Sequence, residues 1–484
     1  VLLKAKRFSG AWWLLMLPGL WFAGRHIFGF YDHNESMYLM TAWRLAQGEV
    51  MYLDFAFLQG PIYPMVLAPF IVLLGDEVSL LAIGKVAALL IWAASTLVLV
   101  AAARKRGMPL YLSLLLAQGF MLAYPQLRSF SEASNYGLPV LFFFLAAFRT
   151  ESYLRGDRSP GLAFQSGLWL GLAIATKTYY AVFIPISVLI FAQSANMKRL
   201  LPLGLGGLLG ALPLWLSLLL FPQQTWFGNV EFHQITTAWK STFGSGNPMA
   251  GPDRWEYFLS YILRRDGWTF LAICTLLMIP LLNKRRMAVA LSVFVIVLAG
   301  ATCWLMKPIF IQYLPLFFGT VLVVSISCYG LLTPSQQSWQ RLLLAVFLAL
   351  GLLQPAAPWK KGQKSVGPFQ ELRILRSQGG IDSALTLSPL IAHELGMPGP
   401  AELTCGPFLV RIADRIKESK RNNLGVWTLQ EMEAMILTQR FPVVVTGHEP
   451  LHEAGIEERL QRANYRATDG PLFTKVWRRA DLPQ

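Results

Sequence analysis

The chain has 484 residues, of which 54% are hydrophobic, 13% aromatic and only 14% charged, with a mean hydropathy of +0.45. A soluble chain carries roughly 25% charged residues, so this composition excludes a disordered, collagenous or coiled-coil chain and an ordinary cytosolic enzyme. The net charge of +15 falls in short basic clusters between apolar runs, a pattern that fits membrane insertion and argues against nucleic-acid binding.

The apolar runs lie at 11–30, 61–75, 79–103, 109–124, 136–150, 161–176, 179–193, 200–222, 267–282, 287–306, 309–331 and 340–357. The first follows Lys4, Lys6 and Arg7 without a small-residue cleavage site and reads as a retained span. The second opens Pro61-Ile62-Tyr63-Pro64, carries Pro69 and ends at Asp76 and Glu77. It reads as interfacial or re-entrant, because the basic clusters at 104–106, 149–158, 198–199, 284–286 and 336–341 then all share the side of the N-terminus. This predicts about eleven crossings, with the N-terminus inside and the C-terminus outside.

The expected fold is mainly α. A polytopic helical membrane domain occupies 1–358, and a small soluble α/β domain outside the membrane occupies 359–484. In that tail 384–387 and 442–446 read as strands, 429–439 and 450–462 as helices, and 465–477 as a hairpin or final strand. Of the four cysteines (Cys274, Cys303, Cys328 and Cys405) three lie in apolar runs, and none has a metal-binding or disulfide-framework spacing.

The candidate chemistry collects in the outer loops 31–60, 125–135, 177–180, 222–265 and 307–308. Asp32 and Glu35 are three apart and would share a helix face, so they could bind a cation or accept a proton from a nucleophile. Equally, Asp32 could cap a helix starting near His33, with Glu35 in its first turn. Glu132, in Ser131-Glu132-Ala133-Ser134-Asn135, is either a second carboxylate of the site or part of a helix cap. Lys177, between two apolar runs, could neutralise a phosphate or snorkel to the interface. His233 could contact a metal or phosphate, or be structural, and Lys307 and Tyr313 add a cation and a phenol near the same surface. His448-Glu449 and His452-Glu453 straddle Pro450 and make a weak zinc pattern. No P-loop, HExxH or GxSxG is present, so nucleotide hydrolysis, zinc proteolysis and serine-triad hydrolysis lack their parts.

Asp32-His33-Asn34-Glu35, Tyr38, Gly48, Tyr52-Leu53-Asp54-Phe55 and Gln59-Gly60-Pro61 resemble the first outer loop of GT-C membrane glycosyltransferases. The likeness is closer to the bacterial relatives of protein mannosyltransferases and lipid A aminoarabinose transferases. Gly167-Leu168-Trp169-Leu170-Gly171-Leu172-Ala173 with Thr176-Lys177 resembles that group's glycine-rich span and its lysine. The resemblance covers about the first 330 residues, together with the plan of spans plus an outer C-terminal domain.

It implies an enzyme that moves a sugar from a polyprenyl-phosphate donor to a glycan, lipid or protein acceptor, with inversion, on the outer face of a bacterial inner membrane. Asp32 takes the role of general base and Glu35 a supporting one. Lys177, with His233, Lys307 and Tyr313, would hold the donor phosphate, while Asp54, Gln59, Glu132 and Tyr179 would line the substrate site. No cofactor is certain; a divalent cation on Asp32 and Glu132 stays open. The departure from the family pattern is Asn34-Glu35, where many relatives carry adjacent acidic residues. The rival readings are a lipid-linked sugar flippase and a non-catalytic membrane scaffold. A transporter would lead one to expect paired inverted halves and mid-membrane charges, and neither is visible in the sequence.

Overall fold

The computed structural model describes residues 16–29, 31–75, 78–192, 200–242, 286–306, 310–330, 384–447, 455–469 and 474–481, with a few isolated positions between them. The expected runs 267–282 and 340–357 lie almost wholly outside the described residues, as do Lys307, His448 and His452.

The membrane part is built from α1 (Met16–Phe28), α2 (His33–Ala46), α3 (Ile62–Leu74), α4 (Leu80–Lys105), α5 (Leu110–Met121), α6 (Tyr124–Ser131), α7 (Gly137–Leu154), α8 (Pro160–Thr176), α9 (Phe183–Ala192), α10 (Leu200–Gly210), α11 (Leu212–Leu220), α12 (Pro222–Trp226), α13 (Phe232–Thr242), α14 (Arg286–Leu305) and α15 (Leu314–Tyr329). Starts and stops follow local chemistry. Ser79 caps α4, whose last turn carries Arg104 and Lys105, and Ser159 caps α8, whose first residue is Pro160.

Among the described residues, Leu80–Lys105 and Ile311–Tyr329 are each long and apolar enough to cross a bilayer. Two bent pairs pass that test only together: α5 with α6, bent by 70°, and α10 with α11, bent by 63°. The sequence reading had placed a loop at 125–135. Instead Pro125, in the first turn, opens α6, and the chain lies across the end of α5. It had also read 200–222 as one span, which breaks at Ala211, just before Pro213. α3 is apolar and, at 13 residues, about 20 Å long, shorter than the hydrocarbon layer.

α8 and α10 approach at backbone contact. A Cβ on Gly167 would lie 2.0 Å from the Leu203 carbonyl oxygen, and one on Gly206 would lie 2.1 Å from that of Phe164. This small-residue seam is the usual way for membrane helices to pack closely.

The C-terminal part carries a four-stranded sheet in the order β1-β2-β4-β3, from β1 (Ala384–Thr386), β2 (Val443–Thr446), β3 (Tyr465–Asp469) and β4 (Lys475–Arg479). β1 and β2 are parallel; β4 is antiparallel to both β2 and β3. The sheet packs with α16 (Pro389–Glu394), α17 (Pro407–Val410), α19 (Leu429–Leu437) and α20 (Ile456–Arg462), while α18 (Glu418–Asn423) has no buried residue. β1, β2, α19 and the β3–β4 hairpin fall where the sequence put them. This domain sits on α2 and on the start of α4. Leu390 N donates to Ser36 Oγ (3.0 Å), Arg44 Nη2 to the Gly399 carbonyl (2.9 Å) and Ser79 Oγ to Glu394 Oε1 (2.9 Å).

Candidate active site

The site grows from the start of α2. Asp32 Oδ1 accepts the Asn34 amide (2.9 Å) and Glu35 Oε1 accepts the Asp32 amide (2.9 Å), a reciprocal capping box. The capping reading of Asp32 therefore holds, and it does not use up the side chain. Asp32 Oδ2 meets Arg128 Nη2 of α6 at 2.9 Å, His33 Nδ1 lies 3.7 Å from Oδ1, and 17% of the side chain stays exposed. Burial alone would raise this carboxyl, but His33, Arg128 and the Asn34 amide outweigh it and hold Asp32 below its ordinary value.

Glu35 has a different environment. It is fully buried, its oxygens 2.7 and 2.8 Å from Lys85 Nζ, and it also accepts the Ala133 amide at 2.9 Å. Lys85 in turn donates to the Ser131 carbonyl (2.8 Å). This pair ties α2, α4 and the end of α6 together behind Asp32. The carboxylate is enclosed and saturated, as fits a positioning group.

Arg128 also pairs with Glu132, one turn on, whose Oε1 accepts from Gln312 Nε2 at 2.8 Å. Burial pushes Glu132 up to about 7 despite the guanidinium beside it. Asp32 and Glu132 thus face one shared guanidinium. A cation set between them would have to displace Arg128, so this pair does not fit a resident divalent metal. Among the described residues no group of three or more His, Cys, Asp or Glu side chains converges as a metal site.

A second cluster centres on Gln59. Its Oε1 accepts from Lys177 Nζ at 2.8 Å and from Asn135 Nδ2 at 3.4 Å, and its Nε2 lies 3.4 Å from His233 Nε2. Asn135 is fixed by the Tyr38 hydroxyl (2.5 Å), and Tyr52, whose backbone has φ 69°, donates its hydroxyl to the Gln59 carbonyl (2.5 Å). The left-handed backbone is costly for a tyrosine and is held by this network.

Gly60 permits the assembly, since a Cβ there would sit 2.1 Å from the Ala175 carbonyl oxygen at the end of α8. Lys177 lies 4.5 Å from the centre of the Tyr136 ring, and Tyr136 and Tyr179 both pack on Tyr313, at 6.2 and 5.6 Å. Burial brings Lys177 down to about 7, with Glu132 pulling the other way.

The structure therefore brings Gln59, Lys177, His233, Tyr179 and Tyr313 together, and Asp32 with Glu132. Asp54 is not among them. It is exposed, and its Oδ2 accepts the Val50 amide (2.6 Å), closing its own turn. Sequence reading missed Arg128 and Lys85. The spacing of Arg128 and Glu132 was one available signal, and the lone charge of Lys85 within the run 79–103 was the other.

No model of a known protein family and no curated protein matches the sequence. Solved structures do. ArnT from Cupriavidus metallidurans bound to undecaprenyl phosphate is 13% identical over 99% of this chain and 100% of that one, with a TM-score of 0.61. Its apo state is 12% identical over 97% and 98%, with a TM-score of 0.66. The oligosaccharyltransferase of Archaeoglobus fulgidus, in complex with Zn and sulfate, is 12% identical over 97% of this chain and 74% of that one, with a TM-score of 0.51. At these identities the likeness is one of fold: the chain is a helical membrane protein with the GT-C fold.

Proposed function

We propose that this chain is an inverting glycosyltransferase that moves a sugar from a polyprenyl-phosphate carrier to an acceptor hydroxyl on the outer face of the membrane. The observation that carries the reading is the pairing, within a GT-C fold, of an ionised, partly exposed Asp32 oriented by Arg128 with a desolvated Lys177 held by Gln59. Undecaprenyl phosphate in the ArnT structure supports a lipid-phosphate donor.

Asp32 takes the proton from the acceptor hydroxyl as its oxygen attacks the anomeric carbon. The bond from that carbon to the phosphate oxygen breaks, and the phosphate leaves with the electron pair. The leaving group is already an anion, so a cation rather than a general acid is what the departure needs; Lys177 supplies it. Arg128 and the Asn34 amide each use one lone pair of an Asp32 oxygen and leave one free. The Glu35–Lys85 pair holds the loop that presents them.

Charge on Lys177 sets a pH signature. Its pKa near 7 makes the free site cationic below that value and neutral above it. Binding of polyprenyl phosphate, titrated in nanodiscs, is expected to weaken as pH rises through about 7. Lys177→Arg, charged throughout, should remove that limb, and Lys177→Met should weaken binding at every pH. Binding indifferent to both substitutions would count against Lys177 as the phosphate site.

Gly60→Ala is expected to push Gln59 away from Lys177. Displacement on that scale costs about a hundredfold in kcat/KM. Steady-state kinetics on protein with unchanged circular dichroism would check it.

A further inference from the structure

A cavity of about 300 Å³ lies between α7, α8, α9, α14 and α15, on the far side of the aromatic residues that flank Lys177. It runs along α7 from Phe143 to Arg155, about 18 Å of helix and close to the depth of one leaflet. Its walls are mainly apolar, interrupted by Thr150, Thr320 and Ser327 and, at one end, by Glu151 and Arg155. Half-buried Ser187 of α9 and Ser292 of α14 line it from two sides.

The two ends differ. Towards Lys177 the slot is closed by the stacked Phe143 and Phe183 rings, 4.8 Å apart, with Tyr180 behind them. At the other end Glu151 is shared by Arg106 and Arg155, so two guanidiniums meet one carboxylate. The buried Nε of Arg106 has no hydrogen-bond partner, and 31% of the Arg155 side chain is exposed. Arg104, Lys105, Arg149 and Arg158, at the neighbouring ends of α4, α7 and α8, are also exposed, and among the described residues of these stretches Asp157 is the one exposed acid.

An apolar slot of leaflet depth with a cationic mouth fits an amphiphile whose head group is anionic. We infer that it holds one chain of an anionic phospholipid taken from the leaflet opposite the Asp32 site, its phosphate at Arg155 and Arg106. Basic pockets between membrane helices recognise such head groups. The donor is a poorer occupant, because its phosphate belongs at Lys177 beyond the aromatic closure, and its tail would give the arginine collar nothing to bind. The slot and its cationic end come from the helix arrangement alone; the choice of a phospholipid over the donor rests on the transferase reading.

The test is native mass spectrometry of the full chain released from nanodiscs of mixed phosphatidylglycerol and phosphatidylcholine. Wild type is expected to retain about one phosphatidylglycerol with about fivefold preference over phosphatidylcholine, the effect of one basic residue at such a surface. Arg155→Gln should abolish the preference. Ala147→Trp, or Ser292→Phe at a half-buried wall position should the first variant not fold, should abolish retention. Equal retention of both lipids by wild type, unchanged retention in the filled variants, or displacement of the lipid by stoichiometric polyprenyl phosphate would overturn the inference.

Discussion

Asp32→Asn is expected to lower turnover by about 10²–10⁴-fold while leaving the fold and the donor affinity close to wild type. The reason lies in the double duty of Asp32. As a cap it offers an oxygen to the Asn34 amide, which an asparagine does as well. As a base it must be ionised and keep a free lone pair near the acceptor, which an amide cannot supply. Asp32→Ala would lose both roles and confuse the result, with about 1 kcal/mol of cap stability going with the chemistry. A large loss of kcat with KM and melting temperature unchanged is the expected pattern. A fall in melting temperature with kcat preserved would reduce Asp32 to a cap.

The largest expected effect on stability is at Lys85. Both members of the Glu35–Lys85 pair are fully buried, so Lys85→Met leaves an uncompensated carboxylate in the core. Breaking a buried pair from one side costs about 3–5 kcal/mol. Glu35→Gln should also destabilise, because its one amide oxygen can replace either Oε1, which accepts the Asp32 amide, or Oε2, which accepts the Ala133 amide, but not both, and the buried ammonium loses its counter-charge. The double variant Glu35→Gln with Lys85→Met should recover much of the loss. Thermal unfolding of the four proteins in one detergent reads this as a double-mutant cycle. Additive losses would show that the two side chains are not coupled, contrary to the structure.

The parts of this architecture visible in the sequence depended on short-range pattern. Apolar runs marked the membrane part, a short apolar run marked β2, and strand-like stretches marked the β3–β4 hairpin, because such patterns are local properties. What the run pattern did not show was where the helices bend. The stretch 125–135, expected as a loop, carries most of α6, and the apolar run 200–222 bends where α10 gives way to α11.

At the site, Asp32 and Lys177 were legible as unusual charges at the ends of apolar runs. Their partners were not, since Lys85 reaches Glu35 over 50 positions, Arg128 reaches Asp32 over 96, and Gln59 gathers Lys177 and His233 from 118 and 174 positions away. Asp54 shows the converse: a residue carried forward by its place in a motif turns out to bond its own turn.

The most direct test uses the purified chain in nanodiscs with a panel of polyprenyl-phosphate sugars and a membrane-lipid extract as acceptor, following release of free polyprenyl phosphate. The proposed mechanism leads us to expect release from one donor by wild type and only background from Asp32→Asn. Folded wild-type protein that releases nothing from any donor, or an Asp32→Asn variant that releases as fast as wild type, would contradict it.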